Sequence, residues 1–445
     1  MGNPLNGQRR QASVLSGAKQ CAPTRRGFLL GTLATGLAFG ERAHALGRTP
    51  LGGVLRLSVP WATDKLDPHD LDDPGAALFA HAVFDSLYAL DERGRVFPTL
   101  AENLPRKEGD GLVVALRPGL VSGGGRPIEA RDAIFSLERA AKFGALAPLE
   151  ARALDRLRIR IGGTDAEPIA RRLASPFSAV VPRGFSPLRP DGTGAFSARP
   201  GRGTLSLARN VNAARGPAFL EGISVSFAAS LGAGLRAFEA GQSDVGWLGS
   251  GLHQRRKGAR PFDAGSMGWA ALRTGSGLGV WGAPGVAQRL ADAIGADQLR
   301  HLGVRATHRA SPVRWGGGPR ALLVANNAPQ LAAVAEVVAA AISGPRNEIA
   351  VRLVGAEELR ASIASGRFAL ALDLIRSPGP AEPPATALLA AAGRAPSAGA
   401  APRAEIRDIT RTLTLGVLGE LGIYGAIVEA VRGIDAWRLD GTWKA

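Results

Sequence analysis

ISVSFAASLGAGLRAFEAGQSDVGWL, residues 223–248, returns in outline as IAVRLVGAEELRASIASGRFALALDL, residues 349–374. Each copy opens on alternating apolar residues, Ile223, Val225 and Phe227 or Ile349, Val351 and Leu353, which is the period of a strand. Apolar residues at helical spacing follow: Leu231, Leu235 and Phe238 in the first copy, Leu359 and Ile363 in the second. A glycine then ends each helix, Gly241 or Gly366, where a left-handed cap residue belongs. The chain resumes as a strand at 244–248 and again at 368–374. Each unit therefore predicts two parallel strands joined by a right-handed crossover. Two such units about 120 residues apart predict an α/β fold of two lobes rather than one large sheet.

Outward from these units the pattern stays mixed. Residues 54–59, VLRLSV, alternate as a strand, and 112–116 and 157–161 do the same. Residues 74–88 carry Phe79, Val83, Phe84 and Leu87 at helical spacing, and 127–143 carry Ile134 and Leu137. Residues 376–404 are rich in Pro, Ala and Gly and predict a poorly structured loop. The stretch 405–421 reads as a helix. The closing segment holds Trp437 and Trp443 and reads as docking on an existing core.

The amino terminus reads as an address. Arg25 and Arg26 precede an apolar run, Gly27–Gly40, of 14 residues. A bilayer core takes about 20 residues of helix, so the run is short for a span and suits a signal peptide. Ala43 and Ala45 supply the small residues of a cleavage site after Ala45. The core 24–30, TRRGFLL, resembles the twin-arginine export motif. The expectation is export by the twin-arginine translocase to the periplasm as a soluble protein. Domains follow as 1–45, the signal; 46–250, an N-terminal lobe; 251–403, a shortened C-terminal α/β lobe; and 404–445, a return segment on the N-terminal lobe.

Composition excludes several chemistries. Cys21, the one cysteine, lies inside the signal, so the expected mature chain has no disulfide, thiolate metal site or cysteine nucleophile. The formal charge is +16, of which residues 1–45 carry six basic and one acidic group, leaving about +11. Arginines scattered among acids make no nucleic-acid footprint, and the basic run 253–260 reads as a solvated loop. His69 and His81 lie 12 residues apart with no metal-ligand spacing. No phosphate loop, dinucleotide fingerprint or nucleophile elbow is present. The expected protein is no enzyme and carries no cofactor, metal or catalytic residue.

Three stretches then form an ordered set: 66–69, LDPH; 83–91, VFDSLYALD; and 96–103, VFPTLAEN. They continue through 116–119, LRPG; 125–128, GRPI; 130–139, ARDAIFSLER; 192–196, GTGAF; 207–210, LARN; and 238–245, FEAGQSDV. In order and spacing over 66–248 the set resembles the amino-terminal signature of family 5 extracellular solute-binding proteins. These are the peptide- and nickel-type receptors of ATP-binding-cassette importers. The resemblance implies a bilobal periplasmic-binding-protein-like fold of class II, with a ligand cleft between lobes that close about hinges. It implies an importer's permease subunits as partners and a small solute or peptide as ligand; a monomer is the expected state. Peptide-binding members carry an Asp that pairs with the ligand's amino terminus, and Ser377 stands at or near that place here. A buried ammonium would lack its counter-charge, which is costly.

Trp61 and Trp247 follow parallel strands on the side where α/β sheets bind ligands, and Trp269 lies beyond the expected crossing between lobes. With Arg376 they are the expected ligand-binding residues of a cleft for a neutral or anionic solute. The competing role for each tryptophan is core packing. The leading function is an exported receptor delivering a solute to an importer. The alternative is a degenerate relative acting as a sensor or adaptor without transport.

Overall fold

The computed structural model describes residues 52–247, 255–306, 312–394, 406–429 and 431. Arg25, Arg26, Ala43, Ala45, Trp437 and Trp443 lie outside the described residues. The elements used below are, in the first part of the chain, β1 (Val54–Val59), α1 (Pro74–Val83), α2 (Ala130–Lys142), β2 (Phe196–Gly201), β3 (Thr204–Arg209), β4 (Gly222–Phe227), α3 (Leu231–Glu239) and β5 (Val245–Trp247). The second part adds β6 (Ala259–Thr274), β7 (Ala321–Ala325), α4 (Pro329–Ile342), β8 (Ala350–Val354), α5 (Ala356–Ser365), β9 (Leu370–Arg376), α6 (Pro384–Ala391) and β10 (Leu415–Val428).

Both strand–helix–strand units are present. β4 and β5 each pair parallel with β1, and β8 and β9 each pair parallel with β7. Local chemistry explains the helices. The Ser230 hydroxyl accepts from the Ala233 N–H at the start of α3 (3.0 Å). Glu357 and Glu358 fill the first turn of α5, where the helix dipole favours acids. Gly241 (φ 76°) and Gly366 (φ 68°) end the two helices in the left-handed region.

Their surroundings differ, which separates the cost of substitution. A Cβ on Gly241 would meet nothing within 4 Å, whereas one on Gly366 would lie 2.4 Å from the Ser276 hydroxyl oxygen. Gly241→Ala is expected to cost about 1 kcal/mol from backbone strain alone. Gly366→Ala adds a steric clash and is expected to cost about 2 kcal/mol. Urea denaturation of the two variants checks the order, and equal losses would contradict it.

One expectation is corrected by the connections between units. The two units do not sit in separate sheets: one eleven-stranded sheet runs β8-β7-β9-β6-β10-β5-β1-β4-β3-β2, with residues 304–305 paired to β10 off this path. The bridge is the antiparallel pair of the long strands β6 and β10, and β10 also pairs with β5. Register irregularities between Asp263 and Ala271 interrupt that pair, and such irregularities bend and twist strands. A curled sheet can thus serve both parts of the chain. A separate four-stranded sheet (106–108, 111–115, 158–162, 151–153) packs against α2, with Leu137, Ile159 and Ile161 buried.

Three local expectations also change. The helix expected over 74–88 stops at Val83, and Tyr88–Leu90 is a strand. The helix expected over 405–421 is a short turn of helix, Ile406–Thr410, followed by β10. Glycines at 416, 419, 422 and 425 imitate helical spacing but serve close approach. A Cβ on Gly425 would lie 2.3 Å from the Gly246 carbonyl oxygen of the neighbouring strand. Within the expected loop 376–404, Pro384–Ala391 forms α6, with proline in its first turn, where the missing N–H does no harm.

Candidate functional site

The motifs that lie far apart in sequence meet as buried polar staples. Asp67 receives two bonds from Arg139 on α2: Nη1 to Oδ1 at 2.7 Å and Nη2 to Oδ2 at 2.5 Å. Arg139 Nη1 also reaches Nδ1 of His69 (2.7 Å), while Nε2 of His69 lies 2.9 Å from the Ala179 carbonyl. His69 is therefore neutral, with the proton on Nε2 donated to Ala179. Asp85, also buried, accepts from the Thr193 hydroxyl (3.0 Å) and from Arg215 Nε (2.8 Å). Gly192 and Gly194 flank that threonine because the backbone passes the end of α1 closely. A Cβ on Gly192 would lie 2.3 Å from the Val83 carbonyl oxygen.

Burial, reinforced by the Arg139 charge, lowers the His69 pKa to about 4. The unfolded chain takes up this proton near pH 6.5 and the folded protein does not. Stability from His69 is thus complete above pH 6.5 and is lost as pH falls from 6.5 towards 4. Between pH 7 and pH 5 the wild type is expected to lose about 2 kcal/mol more than His69→Gln. Urea midpoints at the two pH values measure it, and parallel losses would refute it.

These staples hold the loop 66–73 against the end of β9. The Arg376 N–H donates to the Leu71 carbonyl (2.8 Å), and Arg376 Nη1 donates to the carbonyls of Pro68 (2.9 Å) and Asp70 (2.5 Å). The Arg376 guanidinium also lies over the Phe177 ring at 4.8 Å. Beside it, Arg360 on α5 pairs with Asp70 (3.1 Å), Asp72 (3.0 Å) and Glu357 (2.7 Å). Burial and the neighbouring Asp70 push the Asp72 carboxyl up to about 8. Asp70, against its own burial, is held below the usual carboxylate range by Asp72, Lys65 and Arg360.

A cleft of about 480 Å³ opens at this junction. Asp70, Asp72 and Phe143 line it from the first part of the chain. Arg273, Arg360, Phe368, Asp373 and the end of α6 line it from the second. Arg273 Nε donates to Asp373 Oδ2 (3.0 Å) and Arg273 Nη1 to the Ala391 carbonyl (2.6 Å). Burial raises the Asp373 pKa, opposed by Arg273. A smaller cavity of about 180 Å³ lies between α1 and residues 174–179, with Asp85, Arg215 and Arg376 in its wall.

Of the four expected ligand residues, only Arg376 lines either cavity. Trp61 and Trp247, each 2% exposed, meet edge to face in the main core with ring centroids 5.1 Å apart. Trp269 packs with Ile375, Leu388 and Leu415 in a second cluster. Ser377 donates its N–H to the Met267 carbonyl, and its hydroxyl accepts from the Gly379 N–H. Of the basic run, residues 255–260 are described, and Arg256 among them is anchored. Arg256 Nη1 donates to the Phe238 and Ser243 carbonyls at the end of α3. Sequence reading missed Arg273, Arg360 and Asp373 as cleft residues. The available signal was Asp373 itself, a lone charge inside the apolar run 368–375.

Among the described residues, no group of three or more His, Cys, Asp or Glu is placed to hold a metal ion, and no helix is long and apolar enough to cross a membrane. No protein-family model and no curated protein matches the chain. Solved structures do. The oligopeptide-binding protein AppA of Bacillus subtilis, in complex with a nonapeptide, superimposes with a TM-score of 0.68 at 12% identity, covering 89% of this chain and 99% of its own. NikA of Staphylococcus aureus, in complex with Ni(L-His)2, gives 0.64 at 12% identity, covering 88% and 98%. The periplasmic binding protein AgaA of A. tumefaciens R10, in complex with agropinic acid, gives 0.63 at 15% identity, with the same coverage. The chain thus has the α/β fold of the family 5 solute-binding proteins, the group its sequence motifs resemble.

Proposed function

We propose that this protein is an exported solute-binding receptor that presents a small solute to the permease of an ATP-binding-cassette importer, and that it catalyses no reaction. The observation that carries the reading is the cleft of about 480 Å³ between the loop 70–72 and the β9–α5 face. Its size suits a small ligand, and it lies in a fold shared with proteins solved in complex with a peptide, a nickel complex and an opine. Closure about the β6–β10 pair would enclose the solute. Small-angle scattering during addition of peptides, amines, sugars and carboxylates tests this. A saturable contraction with one class supports a receptor, and an unchanged profile with every class opposes it.

One observation favours the sensor or adaptor alternative. The protein's own Arg360 and Arg376 already join the two walls through Asp70, Asp72 and the Pro68 carbonyl. Binding without contraction would support that reading.

Export by the twin-arginine route, with cleavage after Ala45, is part of the proposal. Replacing Arg25 and Arg26 with lysines is expected to hold the precursor in the cytoplasm. Mature protein still arriving in the periplasm would remove this assignment.

A further inference from the structure

Every basic group in the cleft wall is engaged by the protein. Arg360 is shared among Asp70, Asp72 and Glu357, and Arg273 is held by Asp373 and the Ala391 carbonyl. Two of the lining hydroxyls are engaged as well, Thr274 donating to the Thr414 carbonyl and Ser276 to the Gly366 carbonyl. Among the described residues lining the cleft, Asp373 differs. Its side chain is 6% exposed, Oδ2 accepts from Arg273, and Oδ1 is buried with no hydrogen-bond partner.

An unpaired carboxylate oxygen in a buried site is costly, and such atoms in native proteins call for an explanation. Asp70 and Asp72 share Arg360 at the mouth of the cleft, whereas Asp373 keeps a buried oxygen with no partner. Phe143 and Phe368 add aromatic surface, which attracts cations, and Ile363 with residues 390–392 adds an apolar floor.

Resting on the receptor reading above, we propose that the cleft selects a solute with a positively charged, hydrogen-bond-donating head, an ammonium or guanidinium group, received by Asp373 Oδ1, with an apolar body lying along Phe368 and Ile363. Asp373 is then the specificity-determining residue. This reverses the charge expected from the serine at the peptide-type position, because the carboxylate sits on β9 four residues earlier than Ser377. A guanidinium would bring two parallel N–H donors to the carboxylate, and an ammonium one to three. An anionic solute would meet a wall whose cations are already neutralised.

The test uses the mature protein and a defined panel: agmatine, spermidine and arginine as cations, succinate and malate as anions, glucose and trialanine as further classes. Ligand-observed NMR and calorimetry read binding. Butylguanidine against its neutral isostere butylurea isolates the charge in the wild type. Cation binding at least tenfold tighter than that of the neutral isostere, and weakened at least tenfold in Asp373→Asn, is the expected result. Should Asp373→Asn fail to fold by circular dichroism, the wild-type isostere pair decides alone. Binding confined to anions or sugars, binding of trialanine that N-acetylation leaves unchanged, or equal binding of the isosteres, would overturn the cation inference and leave the receptor standing. So would cation binding unchanged in folded Asp373→Asn. Binding of nothing in the panel, together with an unchanged scattering profile, would overturn both.

Discussion

Replacing Arg139 with leucine is expected to lower folding stability by about 3–5 kcal/mol, because it leaves a buried carboxylate without its partner. Asp67 has a side chain only 5% exposed, and Arg139 supplies two bonds to it and one to His69. Leucine retains apolar volume beside Phe143 and Phe185, whose rings the guanidinium now covers. The loss therefore reports the charge rather than a void. The double replacement Asp67→Leu with Arg139→Leu should recover part of the loss, since it removes both buried charges. Urea denaturation measures the global effect. Hydrogen exchange at residues 66–73 should show the loop opening first, because Arg139 ties it to α2. A loss below 1 kcal/mol would show that water already solvates Asp67.

Trp247→Ala is the second large effect, expected at about 3–5 kcal/mol. β5 is three residues long and lies between β1 and β10, so Trp247 anchors it by packing edge-on against Trp61 in the core. Truncation removes that contact and leaves a void in a close-packed interior. Solute affinity at the cleft should change less than twofold, since neither tryptophan is among its lining residues. A stable variant that loses solute affinity would return Trp247 to the ligand site.

The elements legible in the sequence were those decided within a few residues. Val54–Val59 alternates because successive side chains point to opposite faces of a strand, with Leu55, Leu57 and Val59 in the core, and it forms β1 with the expected bounds. Gly241 and Gly366 end their helices because only glycine adopts positive φ without strain, a property of one residue and its neighbours. The ordered motifs of 66–248 likewise named a fold that the solved structures share.

What those motifs hold together was not legible. Asp67 meets Arg139, and Asp85 meets Thr193 and Arg215, only after α1, α2 and β2 have packed. β10 escaped sequence reading because its glycines answer to neighbouring strands rather than to their own helix or strand preference. Whether a tryptophan faces a core or a cleft depends on which strand lies beside it, and strand order is a long-range outcome. The same holds for Asp373 and Arg273, 100 residues apart in sequence. Periodicity and caps are local and survive in the sequence. Register, the curl of the sheet and the pairing of buried charges depend on contacts that exist only once distant segments exclude water together, so the tertiary structure alone decided them.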